Sequence, residues 1–345
     1  MLRREGDGVR WWIERQALLG KAVPPPSLVA AWSTLSTPTG AVESAEAVIA
    51  RIEADPAAAR WRPGRSRVNG YWNGEHGAGR WDQASQVRIL GRVREPDGDG
   101  LDLSWHLPDP GRPPEYYWAS TLRLSGHAPG RAAGDRAAGA AVDASGAGHW
   151  RWTLEAAAGR FRGPDLDLAA DLFTAVLHTV AERRETSWGA VLHDHVARNR
   201  PLPCEQYLGF EINEPEAGRV ARGYYWANLL TEGHLAGLGG SADVRRRCGR
   251  AGLAAEPVAG RDALIVRSAR PLSQLDDDTL RTLRDVLRPV LATRPYTYYQ
   301  GPPIRVLKEP GAASRRIPPE IQNPWFEDDG PMNGLGAGYR LVPDE

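Results

Sequence analysis

Between residues 60 and 124 the apolar side chains recur with a period of two, and this alternation constrains the fold more than any other feature of the chain. Val87, Ile89 and Val93 alternate with Gln86, Arg88, Arg92 and Arg94; after the run 95–100 (EPDGDG), Leu101, Leu103, Trp105 and Leu107 alternate with Asp102, Ser104 and His106. Successive side chains of a strand point to opposite faces, so two such runs around an Asp-Gly turn predict an antiparallel hairpin. Residues 116–124 supply a further strand, with Tyr116, Trp118, Leu122 and Leu124 on one side, and 149–154 (HWRWTL) resumes the pattern. Glu75-His76 sits in a Gly-rich stretch between Trp72 and Trp81 that reads as a hairpin turn. One apolar and one polar face per strand imply antiparallel sheet covered on a single side by a few helices, an α+β fold.

The helical period is as plain elsewhere. In 43–54, Val48, Ile49 and Ile52 share a face, and in 168–183 Leu168, Leu172, Phe173, Val176, Leu177 and Val180 form a continuous stripe, with Asp165 and Asp167 at the positive N-terminal end. A third helix starts near Ser273, with Asp276 reaching back as in a capping box, buries Leu280, Leu283, Val286 and Leu287, and ends or kinks at Pro289. Short strands are expected at 188–192, 207–212 and 263–267. Residues 1–42 are ambiguous, beyond a short helix through Trp11, Trp12, Ile13 and Leu19. The Ala/Gly-rich stretch 128–148 reads as a loop or linker. The organisation expected is a Trp-rich α+β region over 1–160, a second α+β region over 161–307 and a Pro/Gly-rich tail over 308–345.

Charge narrows the function. The 345 residues carry 43 basic and 43 acidic side chains, which argues against a general nucleic-acid binder, because such proteins need a net basic field. Lys21 and Lys308 are the only lysines, so arginine carries nearly all the positive charge. Two widely spaced cysteines, Cys204 and Cys248, fit a reducing compartment. The charged N-terminal stretch lacks the apolar core of a signal peptide, and no run of about 18 apolar residues occurs, so a cytoplasmic protein without membrane spans is expected.

The chemistry-bearing motifs are few. His193-Asp194-His195 would place two imidazoles on one side of a strand, a beginning of a metal site for which His178 or Cys204 would have to supply the third ligand; an exposed turn explains the same residues more simply. Cys204 lies between Pro203 and Glu205, with nothing to lower its pKa. Phosphate-binding, dinucleotide, nucleophile-elbow and zincin motifs are absent, and no cofactor is expected. Ten of the thirteen tryptophans precede residue 160; they suit a binding surface, but their alternation with polar neighbours assigns them to a sheet core first.

The most distinctive segment is 219–240, RVARGYYWANLLTEGHLAGLGG. Its Tyr-Tyr-Trp-Ala echoes 116–119, which raises the prospect of two similar halves. The order of an apolar helix at 168–183, Trp188-Gly189, the segment GYYWANLL at 223–230 and a closing Leu238-Gly239-Gly240 resembles bacterial immunity proteins of type VI secretion and polymorphic toxin systems, in particular immunity protein family fifty-two, across residues 165–307. That resemblance implies a cytoplasmic α+β protein that binds and neutralises a cognate toxin without catalysis. On this reading Trp226 and Leu229 are buried, while Tyr225 and Asn228 lie on the opposite pleat as an exposed contact pair, and Glu327, Asp328 and Asp329 meet a basic toxin. The alternatives are a metal-dependent enzyme using His193 and His195, and a structural or adaptor component of a secretion or defence system.

Overall fold

A computed structural model describes residues 27–56, 67–72, 75–80, 83–94, 100–106, 121–127, 147–157, 161, 163–194 and 218–291. Their organising element is β1 (Ser27–Ser36), nine of whose ten residues are buried. Its run Leu-Val-Ala-Ala-Trp shows no alternation because both of its faces are covered, and so period-two reading passes over it. On one side it pairs with β6 (Gly148–Ala157) and on the other with β7 (Thr186–Asp194), both antiparallel. Outward from β6 follow β5 (Thr121–His127), β4 (Gly100–His106), β2 (Arg67–Trp72) and β3 (Glu75–Arg80); outward from β7 follow β8 (Ala227–Leu230), β10 (Leu264–Ser268) and β9 (Leu253–Pro257). The result is one ten-stranded antiparallel sheet, continuous across residue 160 through the β1–β7 pairing.

The α+β class expected from the alternation is what the sheet and its helices show, but the helices lie on both faces. Leu28, Ala30 and Trp32 of β1 join one core with α1 (Pro38–Ala54), α2 (Gln83–Val93) and α3 (Pro164–Ala181). Val29 and Ala31 join a second core with α4 (Glu232–Gly237), α5 (Ser241–Arg250) and α6 (Asp277–Leu287). Single-sided coverage is therefore corrected: β1, β7, β8 and β10 each bury side chains in both cores. In the first core Trp32 stands opposite Trp152, their rings 6.1 Å apart and 8° from parallel, and Trp150 continues the stack at 5.9 Å. On the other side of Trp152 stands Gly126, where a Cβ would fall 2.3 Å from the indole; the glycine is the space the tryptophan occupies.

The predicted hairpin is half right. Residues 100–106 form β4, but 83–93 form α2, and β4 pairs with β2 and β5 instead. Ile89 and Leu90 are adjacent and both buried, with Val93 one turn on, while Val87 is 67% exposed. Two neighbouring buried residues cannot share one face of a strand but do share one face of a helix. Strands β2 and β3 form a hairpin between Trp72 and Trp81, but Glu75 and His76, expected in its turn, open β3, with Glu75 opposite Trp72 in the ladder. At α6 the cap is Asp276, accepting from the Thr279 N–H at 2.8 Å, whereas Ser273 lies in a preceding 3-10 turn and bonds to Asp167. The expected 11–19 helix, the 128–146 part of the Ala/Gly stretch, the 207–212 strand and the tail lie outside the described residues.

Candidate functional site

The segment 219–240 crosses the sheet from one core to the other. Tyr224 and Tyr225 pack in the second core and Trp226 in the first, its Nε1–H donating to the Arg270 carbonyl at 3.1 Å. Burial of Trp226 and Leu229 is as expected. Tyr225 and Asn228 do lie on the pleat opposite Trp226, yet they are only 5% and 4% exposed, so their expected exposure is corrected: helices α4 to α6 roof that pleat. The Asn228 side chain accepts from the Tyr225 N–H at 2.9 Å and donates to the Tyr225 carbonyl at 2.7 Å, closing the bend that leads into β8. At Thr231 the backbone N–H donates to His234 Nδ1 at 3.1 Å as part of a capping box that starts α4, and the Thr231 hydroxyl donates to the Gly218 carbonyl at 3.0 Å. Gly239 and Gly240 have φ of 86° and 93°, the left-handed freedom that the Leu-Gly-Gly ending suggests, and they turn the chain directly into α5. Gly223 is needed for close approach instead: a Cβ there would stand 2.5 Å from the Tyr225 ring.

Beside this segment lies a cationic stack that sequence reading does not single out. Arg151 of β6, Ser33 of β1 and Trp188 of β7 are in register across three strands on the second face. The Arg151 guanidinium carbon is 4.6 Å from the Trp188 ring centroid and that of Arg222 is 5.5 Å from it, while Tyr225 meets the same ring edge-on at 6.3 Å. Arg151 and Arg222 are 6% and 0% exposed, so the stack works as an internal joint between strands on either side of β1. His149 next to it is held below its ordinary pKa by burial and by the charge of Arg222. The only advance signal is alternation: Arg151 occupies the polar pleat between Trp150 and Trp152.

On the first face, Glu256 of β9 bridges two elements, with Oε2 2.9 Å from His178 Nε2 of α3 and Oε1 accepting from Arg267 Nε at 2.7 Å. Burial raises the Glu256 carboxyl, but the hydrogen bonds from His178 and Arg267 outweigh it and the net direction is downward. His178 is thus engaged in a hydrogen bond with Glu256. His193 lies half-buried in β7, while His195, Cys204, Glu327, Asp328 and Asp329 fall outside the described residues. Among the described residues no group of three or more His, Cys, Asp or Glu side chains is placed to hold a metal ion, and no helix is long and apolar enough to cross a membrane.

The fold defines an α+β protein with one all-antiparallel, ten-stranded sheet. No protein-family model matches the chain, and comparison with curated proteins returns no match. Among solved structures the fold is similar to that of the Pseudomonas aeruginosa T6SS protein PA0821, with a TM-score of 0.51 and 14% identity over 81% of this chain and 83% of that one.

Proposed function

We propose that this chain is a non-catalytic binding protein of a type VI secretion or polymorphic toxin system, one that neutralises a cognate bacterial toxin by direct protein contact in the cytoplasm. The observation that carries the reading is the fold likeness to a T6SS protein over four-fifths of both chains. The aromatic-Asn-Leu segment ending in Leu-Gly-Gly, which resembles toxin immunity proteins, supports it independently of that likeness. Its residues build the interior, so the segment identifies the scaffold and the contact surface lies elsewhere. A sheet with a packed core on each face fits the task, because preorganised elements present binding groups with little ordering cost.

Co-expression tests the reading. A toxin encoded beside this gene arrests growth of a heterologous host when produced alone, and production of this chain with it restores growth. Persistent arrest despite equal amounts of both proteins rejects neutralisation. Assembly of this chain alone into large particles favours the structural-component alternative.

A further inference from the structure

We infer that the outer face of α5 is the contact surface for an acidic protein partner, a deepening that rests on the toxin-binding reading above. Helix α5 (SADVRRRCGR) carries four arginines against one aspartate. Val244 and Cys248, one turn apart, are fully buried in the second core and fix its rotation. Ala242, Arg245, Arg246, Gly249 and Arg250 are consequently the exposed set. At 100° per residue these five positions form one continuous face, on which the small Ala242 and Gly249 lie between arginines. A Cβ at Gly249 would meet no atom within 4 Å, so the space above the helix backbone is open. Arg246 pairs with Asp243 on the surface, and Arg247 is spent on the Leu238 carbonyl. Arg245 and Arg250 form no ion pair among the described residues.

The mount is as important as the charge. Gly239 and Gly240 lead into α5, and Gly252, with φ of 70°, leads out of it into β9. The helix is thereby clamped between two tight turns, so its guanidiniums project from a fixed platform. Arginine forks match carboxylates in paired geometry, and charge complementarity accelerates encounter.

A protein fits this face better than a nucleic acid does. The helix spans about 15 Å, which reaches only a few phosphates. Helices α1 and α3 on the opposite face carry six carboxylates against one arginine, and the whole chain is neutral, so a long polyanion gains little from the global field. A local acidic patch on a folded partner fits the α5 face better. The partner's contact surface would then be acidic, opposite in sign to the one that a Glu327, Asp328 and Asp329 contact requires.

The test titrates a glutamate decapeptide and an oligothymidylate of equal length into the full-length chain, with amide exchange of α5 and calorimetry as readouts. Wild-type protein binds the peptide with protection of α5 amides, rising salt weakens binding, and Arg245→Glu with Arg250→Glu lowers affinity at least about tenfold. Both side chains are exposed, and an unchanged thermal midpoint confirms that the variant folds. Absence of peptide binding, an unaltered affinity in the variant, protection confined to other elements, or tighter binding of the oligothymidylate each overturn the inference. The adjacent toxin separates the two proposals: a toxin complex that survives the double substitution at unchanged affinity removes this surface and leaves the toxin-binding reading standing. Failure of the wild-type chain to bind that toxin removes the toxin-binding reading, while the peptide titration still decides the charge preference of α5.

Discussion

Asn228 grips both backbone polar groups of Tyr225, accepting from its N–H and donating to its carbonyl. Backbone groups at a bend have no ladder partner, and here both sites lie in the interior, where an unmet donor or acceptor is costly. One amide side chain meets both needs, which is why an Asn stands two residues beyond the aromatic triplet at the start of β8.

Replacing that Asn removes both buried hydrogen bonds to Tyr225 at once, together with a longer one of 3.5 Å to the Val266 carbonyl. Asn228→Ala is expected to destabilise the protein by about 2–4 kcal/mol, measured by urea unfolding, because two backbone groups are left without partners. Toxin binding by the remaining folded fraction stays unchanged, since the residue is buried; a large loss of affinity at full stability would make Asn228 a contact residue after all.

Arg261 offers a second such clamp. Its side chain, 4% exposed, donates from Nη1 to the carbonyls of Ala181, Arg183 and Thr186 and forks onto Glu232 at 3.1 and 2.6 Å. Lysine has the charge without the planar fork. Arg261→Lys is therefore expected to lose stability close to that lost in Arg261→Ala, read from thermal midpoints. Full rescue by lysine would show that charge alone matters.

The same pair shapes the acid limb of stability. Hydrogen bonds from Arg261 hold the Glu232 carboxyl below its ordinary 4.5, and hydrogen bonds from Thr279 hold Asp276 below its ordinary 3.8. Both folded-state values lie under the unfolded ones, so the stabilisation is present above the unfolded pKa and is lost as pH falls through the folded pKa. Melting temperature should fall from about pH 5 downward, and Glu232→Gln with Asp276→Asn should flatten that fall. An acid limb equally steep in the double variant would assign it to other groups.

Gly126 tests the tryptophan stack. Gly126→Ala drives a methyl into the Trp152 ring, which is pinned between Trp32 and Trp150. A loss of about 1–3 kcal/mol is expected, with altered near-ultraviolet dichroism. A neutral substitution would mean that the stack slides freely.

Cys248 supplies a reporter of the α5 mount. Burial pushes its thiol up to about 11. In a Cys204→Ser background, labelling of Cys248 by a disulfide reagent at pH 8 should be slow and should track unfolding in urea. Rapid labelling of the native protein would show that α5 lifts from the sheet.

Periodicity exposed the elements that bury one face, and of those that bury two it passed over β1. Helices α1 and α3 and strands β4 and β6 are readable because a single stripe or pleat is apolar, whereas β10, with Ile265 in one core and Leu264 and Val266 in the other, is readable only as a short apolar run. Strand β1 is not, since Leu28 to Trp32 faces a core on each side. That omission had consequences for the site. With one covered face assumed, the pleat carrying Tyr225 and Asn228 had to meet solvent; with two, it is interior. Helix α2 was misread because Val87, Ile89 and Val93 satisfy alternation, while Leu90, which breaks it, carries the helical signal. The α5 face was written in the sequence as Arg245-Arg246-Arg247 and Arg250, but only the burial of Val244 and Cys248 shows which arginines point outward.

The central claim is direct neutralisation, and calorimetry of the purified chain with the purified product of a neighbouring toxin gene tests it most directly. The account predicts a saturable one-to-one complex that abolishes the toxin's activity in the same cell at equal concentration. Heat indistinguishable from dilution, with the toxin still fully active at a several-fold excess of this chain, would contradict it.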